Sequence, residues 1–523
     1  MSFNAVWPAL AGATQAASVA MPGSGEAQGW LQVLSLAFLA ASLSRTASLR
    51  SVRMPSSPIR RAAWQGGVFA MAWMAGSFWW LYVSMHEVGG LPAPLAASAV
   101  LVLAAALALF YALSAAVWVA LARHPSGAER PWALSALFAA LWTLAELMRG
   151  QWFTGFPWGA GGYAHVDGVL SVWAPWVGVY GMGALAAVLA MRLALAGLSW
   201  RSAKALLGLG VFTWALQAFG PVFTTSAGAS QVELLQANIS QNNKFEASSG
   251  IRDALQWYDA QLRQSQQPLV VAPETAIPLL PRHLPEGYWA GLQQHFAQAG
   301  RPLALVGMPW GSVAEGYTNS VLALGPEALQ AQSAPGTAPY RYDKSHLVPF
   351  GEFIPWGFAW FVRQMQIPLG DFRSGGLDQP LVAWQGQRLA LNICYEDLFG
   401  EELAVRFKDA AQAPTVMVNV SNIAWFGDTL AVDQHLNISR LRSMELGRPM
   451  LRATNTGATA IIDHQGRVTH QLPRFTRGSL IGSYEGRNGL TFYARWAAAF
   501  GLWPLWGLCL SVLALAVWRR RAH

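Results

Sequence analysis

Charge is scarce in this chain, and acid is scarcest at its start. Only 12% of the 523 residues are Asp, Glu, Lys or Arg, where soluble domains carry about a quarter. Before residue 223 the acids are Glu26, Glu87, Glu129, Glu146 and Asp167 alone; the other 22 of the 27 come later. That shortage argues against a soluble first half. Cysteine is nearly absent too, with only Cys394 and Cys509. Because Cys509 sits in an apolar run, an intramolecular disulfide framework is excluded, and the count says nothing about redox compartment. No metal-ligand spacing or phosphate-cradling glycine loop stands out, so no cofactor and no metal is expected. A net charge of +8 could suggest nucleic acid, but the basic residues punctuate apolar stretches instead of forming one patch.

What is abundant is apolar: 53% hydrophobic residues, with 26 tryptophans. A bilayer core requires about 20 apolar residues per helix. Eight stretches qualify as spans: 6–21, 29–44, 64–84, 94–122, 131–148, 171–191, 204–223 and 495–517. The first is diluted by Pro8, Thr14 and Gln15, and without a basic leader it does not read as a cleaved signal peptide. Basic residues fall in alternate connections. Arg45, Arg50, Arg53, Arg60 and Arg61 lie between spans two and three, and Arg123 and Arg130 between four and five. Arg192, Arg201 and Lys204 lie between six and seven, and Arg519, Arg520 and Arg521 follow the last. The positive-inside rule places these clusters in the cytoplasm and residues 224–494 outside, which in a bacterium is the periplasm. The expected division is therefore 1–223 for seven spans, 224–494 for an extracytoplasmic domain, and 495–523 for the last span and a basic tail. Arg149 breaks the charge pattern. Glu146 to Gly150, followed by Thr154-Gly155-Phe156-Pro157-Trp158-Gly159, reads either as an interfacial ion pair with an aromatic belt or as a lipid headgroup site.

From Gln231 the pattern changes to short β-rich runs alternating with helical stretches. Strands are expected at 232–239, 268–273, 303–308, 318–325, 388–394, 415–420, 450–454 and 459–463; helices are expected at 251–265, 287–299, 400–411 and 431–447. Such alternation implies a layered α/β domain whose ligand site lies at strand ends. One segment, 350–372, is too aromatic for an ordinary surface: Phe353, Ile354, Trp356, Phe358, Trp360, Phe361, Val362, Met365 and Ile367. It reads as an arm resting on the bilayer in preference to a core helix, because Ile354-Pro355-Trp356-Gly357 is loop-like.

The run Ala390-Leu391-Asn392-Ile393-Cys394-Tyr395-Glu396-Asp397 ends a strand on a cysteine. An unperturbed thiol is only a few per cent thiolate at neutral pH, so Cys394 needs a base. Glu274, delivered by the Pro273-Glu274 step after a buried strand, can serve if an apolar shell raises its pKa. Attack on a carbonyl creates an oxyanion, for which Lys344 and the Tyr395 N–H are candidate donors. Each residue alone is more readily an inert thiol, a surface carboxylate or a solvated lysine. Their contexts in this order carry the signal.

Those contexts are specific. Leu235-Gln236-Ala237-Asn238-Ile239, Pro273-Glu274-Thr275-Ala276-Ile277-Pro278, and the run from Lys344-Ser345-His346-Leu347-Val348-Pro349-Phe350-Gly351-Glu352 to Phe353-Ile354-Pro355 form the first part. Ile393-Cys394-Tyr395-Glu396, Ser421-Asn422-Ile423-Ala424-Trp425-Phe426-Gly427 and Arg448-Pro449-Met450-Leu451-Arg452-Ala453-Thr454-Asn455-Thr456-Gly457 follow. With Arg149 and Thr154 to Trp158, the chain resembles the apolipoprotein N-acyltransferases, the integral-membrane branch of the nitrilase superfamily of carbon–nitrogen hydrolases. The resemblance implies eight transmembrane helices plus an αββα sandwich. It implies Glu274 as general base, Lys344 as oxyanion stabiliser and Cys394 as nucleophile, with Glu352, Tyr395 and Glu396 in support. It also offers Phe245, Asn319, Arg149, Trp158 and Pro355 as substrate contacts. Phe245 keeps a ring where the family often carries tryptophan, losing the indole N–H, and Ser240 replaces a proline. The implied partners are a phospholipid acyl donor, phosphatidylethanolamine foremost, and a diacylated apolipoprotein acceptor; the implied form is a monomer in the bacterial inner membrane. A membrane-tethered amidase or nitrilase of a small C–N substrate would use the same residues. A transporter or lipid-binding scaffold would have no need of them.

Overall fold

The computed structural model describes residues 3–48, 57–122, 131–197, 199–244, 246, 249–312, 314–326, 340–362 and 371–521. The chain forms two compact units. One comprises Met1–Tyr82, Ala93–Val222 and Phe500–His523; the other comprises Val83–Pro92 and Phe223–Ala499.

The first unit is helical. Its long described helices are α1 (Phe3–Val19), α2 (Gly29–Ser48), α3 (Pro58–Phe78), α4 (Ala93–Ala122), α5 (Pro131–Gln151), α6 (Ala174–Ala196), α7 (Trp200–Phe219) and a last one at Trp503–Arg521. Helix α4 shows why they associate. Ala96, Val100, Ala104 and Ala108 are buried along one stripe, while Leu101, Val102, Leu109 and Leu113 stand exposed on the others. A helix apolar all round suits a lipid solvent. Small residues let backbones approach: a Cβ on Gly66 of α3 would lie 2.8 Å from the Tyr111 carbonyl oxygen. By length and apolarity, Ala93–Ala122, Pro131–Thr154 and Ser171–Ala196 are each sufficient to cross a membrane. The number rises to five if two interrupted pairs, Pro58–Phe78 with Leu81–Val88 and Phe492–Phe500 with Trp503–Arg521, are each one span. The expected eight are therefore three to five by this measure. Gln15, Gln32, Ser35 and Thr46 dilute α1 and α2, and all are buried. The connections carrying Arg50, Arg53, Arg123 and Arg130 lie outside the described residues.

The second unit is built on twelve described strands: β1 (Thr224–Gln236), β2 (Leu269–Val271), β3 (Leu303–Ser312), β4 (Gly316–Leu324), β5 (Arg341–Asp343), β6 (Val382–Trp384), β7 (Gln387–Ile393), β8 (Val416–Ser421), β9 (Met450–Thr454), β10 (Ala460–Ile462), β11 (Val468–Gln471) and β12 (Gly478–Gly489). They form two six-stranded sheets, ordered β12-β1-β2-β3-β4-β5 and β11-β10-β9-β8-β7-β6. In each sheet three central strands run parallel, β1-β2-β3 and β7-β8-β9, and the outer pairings are antiparallel.

Alternation along the strands explains the layers. Val232, Leu234, Leu269, Val271, Leu303 and Leu305 of the first sheet share one core with Leu389, Leu391, Ile393, Val416, Val418 and Val420 of the second. The intervening residues Leu235, Val270, Ala304 and Val306 pack outward with Leu255 and Leu262 of α8 (Gly250–Gln264) and Leu292 and Phe296 of α9 (Tyr288–Ala297). Ala390 and Met417 pack outward on the other side, with Leu446 of α10 (Leu430–Leu446) and Tyr493, Ala494 and Ala497 of α11 (Phe492–Phe500). Both faces of both sheets are covered, giving helix, sheet, sheet, helix.

Four strands were not anticipated. β5 and β6 have three residues each, too short for a periodic signal. β11 and β12 lack an apolar run, and the inward positions of β12 include Gly482 and Gly486. The helix expected at 400–411 is a short helix at Gly400–Ala404 running into a 3₁₀ turn at Val405–Phe407. Val83–Pro92, sequentially between α3 and α4, belongs with the sheets, where Val83 lies beside Gly427.

Candidate active site

Three strand ends bring the titratable groups together. Glu274 leaves the end of β2 after Pro273, with Ala272 N donating to Leu305 O at 2.8 Å. The chain passes so close to β3 that a Cβ on Gly307 would lie 2.2 Å from Pro273 O, so glycine is required there. Lys344 directly follows β5 and is held by its own N–H donating to Asn319 O of β4, 2.8 Å. Cys394 follows β7. Thr275 and Cys394 both have φ 52° and Phe350, two residues before Glu352, has φ 65°. The left-handed region costs a non-glycine residue about 1–2 kcal/mol, so neighbouring contacts must hold these turns.

The geometry is dense. Lys344 Nζ lies 3.2 Å from Glu274 Oε1 and 2.9 Å from Glu352 Oε1. Asn319 Nδ2 donates to both of those oxygens, each at 2.7 Å. The Asn422 N–H donates to Glu274 Oε2 at 2.8 Å, and the Val348 N–H to Glu352 Oε2 at 2.8 Å. A second lysine, Lys244, reaches the main-chain carbonyl of Glu274 at 3.3 Å. Glu274, Asn319, Lys344 and Glu352 are at most 7% exposed.

Burial alone would push the Glu274 carboxyl up. The Lys344 charge, the Asn319 amide, Lys244 and the Asn422 N–H outweigh it and hold the group below the usual carboxylate range. This corrects the expectation of a base with a raised pKa: the apolar shell is present, but it is overridden. Lys344 also loses by burial, yet Glu274, Glu352 and the Cys394 sulfur keep it above its ordinary value. For Cys394 burial and the Glu274 charge act together, so the thiol is pushed well up despite Lys344. Burial pulls Lys244 down to about 8, partly offset by Glu274. At rest, Glu274 is thus ionised beside the Lys344 ammonium and a protonated thiol.

The Cys394 turn is pinned by Glu396, whose role is internal. Its carboxylate accepts from Tyr342 OH at 3.0 Å, the Ser345 N–H at 2.6 Å, Ser345 Oγ at 2.5 Å and the Ile393 N–H at 2.6 Å. Glu396 and Tyr395, both expected in support, are both buried. Glu396 ties the segment bearing Lys344 to the segment bearing Cys394. His346 faces elsewhere: its Nδ1 is 3.0 Å from Glu402 Oε1 and its ring stacks on Phe399.

The remaining expected residues divide. Asn319 was expected as a substrate contact, but its amide hydrogens are engaged by the two carboxylates. Pro355 lies in the exposed arm, where Trp356 is 99% exposed; a core helix is ruled out for 350–360. Residues 363–370 of that arm, and Phe245, lie outside the described residues. Arg149 and Trp158 belong to the helical unit and are both buried. The Arg149 guanidinium donates to Phe156 O at 2.8 Å and Trp158 O at 2.7 Å, bracing that loop, while Glu146 accepts from the Gly161 N–H at 2.8 Å. Neither Arg149 nor Trp158 is open to a headgroup as placed.

Sequence reasoning missed Lys244, Asn422 and the Asp397-His435-Arg452 group. Asn422 and Arg452 lie inside motif runs already singled out, and a polar residue inside an otherwise apolar strand such as β9 was the available signal for Arg452.

Residues 16–192 match the family model described as apolipoprotein N-acyltransferase N-terminal domain, and residues 231–485 the one described as carbon-nitrogen hydrolase. A protein of Verminephrobacter eiseniae named apolipoprotein N-acyltransferase is 54% identical, over 96% of this chain and 94% of its own length. Relatives of the same name from Ralstonia nicotianae and Bordetella bronchiseptica are 45% and 41% identical, covering 94% and 90% of this chain and 90% of each relative.

Proposed function

The chain belongs to the apolipoprotein N-acyltransferase family, and from that premise we propose that it transfers an acyl chain from a membrane phospholipid to the N-terminal amine of a diacylglyceryl-cysteine lipoprotein through a thioester on Cys394. The observation that carries this reading is Lys344 held between Glu274 and Glu352 beside the Cys394 thiol. In the first half-reaction the Cys394 proton passes to Glu274 as sulfur attacks the ester carbonyl. The oxyanion is met by Lys344 and the Tyr395 N–H. Collapse releases a lysophospholipid alkoxide, which takes the proton from Glu274 and leaves a thioester. In the second, the lipoprotein amine attacks that thioester, its proton passes by Glu274 to the departing thiolate, and an amide forms. Water competes for the same thioester, so a lipid-facing, water-poor setting favours transfer.

All eight long helices among the described residues are proposed to cross the bacterial inner membrane, with the sheet unit in the periplasm. The positive-inside pattern and the apolar helices support this orientation. Phosphatidylethanolamine is the proposed donor and the monomer the proposed form.

The test is intact-mass analysis of purified protein incubated with phosphatidylethanolamine, followed by a diacylglyceryl-cysteine peptide. The expected results are an acyl adduct on Cys394, absent from Cys394→Ala, and then N-acylated peptide with lysophospholipid. Free fatty acid as the dominant product, or ammonia from small amides, would favour the hydrolase reading and overturn this one.

A further inference from the structure

A second buried cluster touches the Cys394 turn through its backbone and has no part in the steps above. Asp397 accepts from Ser439 Oγ at 2.5 Å and Arg452 Nη1 at 3.3 Å, and lies 2.9 Å from His435 Nε2. Asp397, His435, Ser439 and Arg452 are at most 1% exposed. The proton on His435 is assigned by its neighbour. Arg452 Nη2 is 2.7 Å from His435 Nδ1, and a guanidinium only donates, so Nδ1 accepts and Nε2 carries the hydrogen. Burial and the Arg452 charge hold the imidazole below its ordinary value, keeping it neutral.

That Nε2–H has two acceptors in reach, Asp397 Oδ1 and, at 3.3 Å, the main-chain carbonyl of Cys394. The same carbonyl accepts from Asn419 Nδ2 at 3.4 Å. In a planar trans peptide the carbonyl and the following N–H point opposite ways, and no cis bond occurs among the described residues. Holding the Cys394 carbonyl toward His435 and Asn419 therefore turns the Tyr395 N–H to the other side of the turn. It also maintains the left-handed conformation of Cys394, which sets the direction of its sulfur.

We propose that His435, assisted by Asn419, is a positioning residue for acyl transfer, holding the Cys394 carbonyl so that the Tyr395 N–H meets the oxyanion of each tetrahedral intermediate. Asp397 and Arg452 fix the ring's tautomer and orientation. The inference rests on the thioester reading of Cys394.

Two variants of similar burial separate it from a purely structural role. In His435→Gln the terminal amide reaches the Nε2 position and can still donate to the Cys394 carbonyl. In His435→Asn the shorter amide reaches only the Nδ1 position. The measurement is single-turnover acylation of Cys394, followed by intact mass over a series of phosphatidylethanolamine mole fractions, with thermal unfolding of each variant. His435→Asn is expected to lower the maximal rate about 10- to 100-fold at unchanged half-saturation, a fraction of the loss seen when an oxyanion donor is removed outright, and His435→Gln to stay within about threefold of wild type. Asn419→Ala, which removes the other donor to the same carbonyl, is expected to lower the maximal rate in the same way and carries the test if His435→Asn does not fold. Equal losses in the Gln and Asn variants, or a change confined to half-saturation, would overturn the proposal. A wild type that gained no adduct on Cys394 would instead bring down the thioester reading, and this inference with it.

Discussion

Two buried ionic clusters adjoin the same cysteine, and their charges pair differently. Glu274, Lys344 and Glu352 pair two carboxylates with one ammonium, while the second lysine, Lys244, sits on the main-chain carbonyl of Glu274 and takes no part in those ion pairs. Asp397, His435 and Arg452 set one carboxylate against one guanidinium, with a neutral imidazole between them. A proton arriving on Glu274 leaves the Lys344–Glu352 ion pair intact, whereas one arriving on Asp397 leaves Arg452 without its carboxylate. The first is therefore able to take the thiol proton, even though each of its hydrogen bonds lowers the proton affinity of Glu274 in the resting state. The second resists protonation and holds a shape. The proposed chemical and positioning roles are thus distinguished by how the charges pair, since burial is nearly the same in both.

The largest expected effect comes from removing the cation of the first cluster. Lys344→Met should lower the Cys394 acylation rate about 10²- to 10³-fold, the loss typical of an oxyanion donor. It should also destabilise the fold, because Glu274 and Glu352 would face each other across Asn319 with no ammonium between them. Adding Glu352→Gln should recover much of the unfolding midpoint without recovering the rate. Recovery of both would mean that Lys344 serves only to neutralise its neighbours, and the contrast between the clusters would fail.

Breaking the second cluster should show the reverse signature. Asp397→Asn strands the Arg452 charge in a site where it is 0% exposed, and removing one partner of a buried pair costs about 3–5 kcal/mol. Thermal unfolding of the purified protein should record that loss, while the acylation rate of the folded fraction falls less than about tenfold. A rate loss matching that of Lys344→Met would show that Asp397 acts in the chemistry.

The pH dependence of stability follows with its sign. Glu274 and Asp397 are held below their ordinary values of 4.5 and 3.8, so their stabilisation is complete above those values and is lost as pH falls through the lower folded ones. Lys344 is held above its ordinary 10.5, so its contribution is complete below that value and is lost only as pH rises through the higher folded one. The unfolding midpoint should therefore be level, as far as these groups decide it, from about pH 5 to 10 and decline on either side. In Lys344→Met with Glu352→Gln the alkaline decline should shrink. An unchanged alkaline limb would remove Lys344 from the account.

What the chain's letters disclosed depended on range. Short apolar runs revealed the strands with two buried faces, such as Leu389 to Ile393, because burial on both sides leaves a nearly continuous apolar stretch, broken there by Asn392 alone. β12 was invisible because its core positions include glycines, and β5 and β6 because three residues hold no period. Glu274, Lys344 and Cys394 were legible as short polar motifs closing strands. The ionisation of Glu274 was not, because it depends on contacts with Lys344, Asn319 and Asn422, which lie 70, 45 and 148 residues away. The Asp397-His435-Arg452 group was hidden for the same reason: polar residues inside a helix and a strand reveal a partner only once the layers are assembled.

The smallest expected effect tests the surface outside both clusters. Ile354, Trp356, Phe358 and Trp360 are all more than 40% exposed on one aromatic segment that begins just after Glu352. Phe372 N donates to Glu352 O at 3.0 Å, so the far end of that segment is tied back to the residue that opens it. An exposed tryptophan gains about 1.5–3 kcal/mol when its ring enters an apolar phase. If the segment rests on the bilayer, Trp356→Ser should slow acylation by phosphatidylethanolamine in vesicles a few-fold and leave acylation by a detergent-dispersed short-chain donor unchanged. Protease cutting between 350 and 372 should be slower in liposomes than in detergent for wild type, and that difference should narrow in the variant. Equal slowing with both donors would tie Trp356 to the buried clusters instead, through the turn at Glu352, because only a defect in the site itself is indifferent to how the donor is presented.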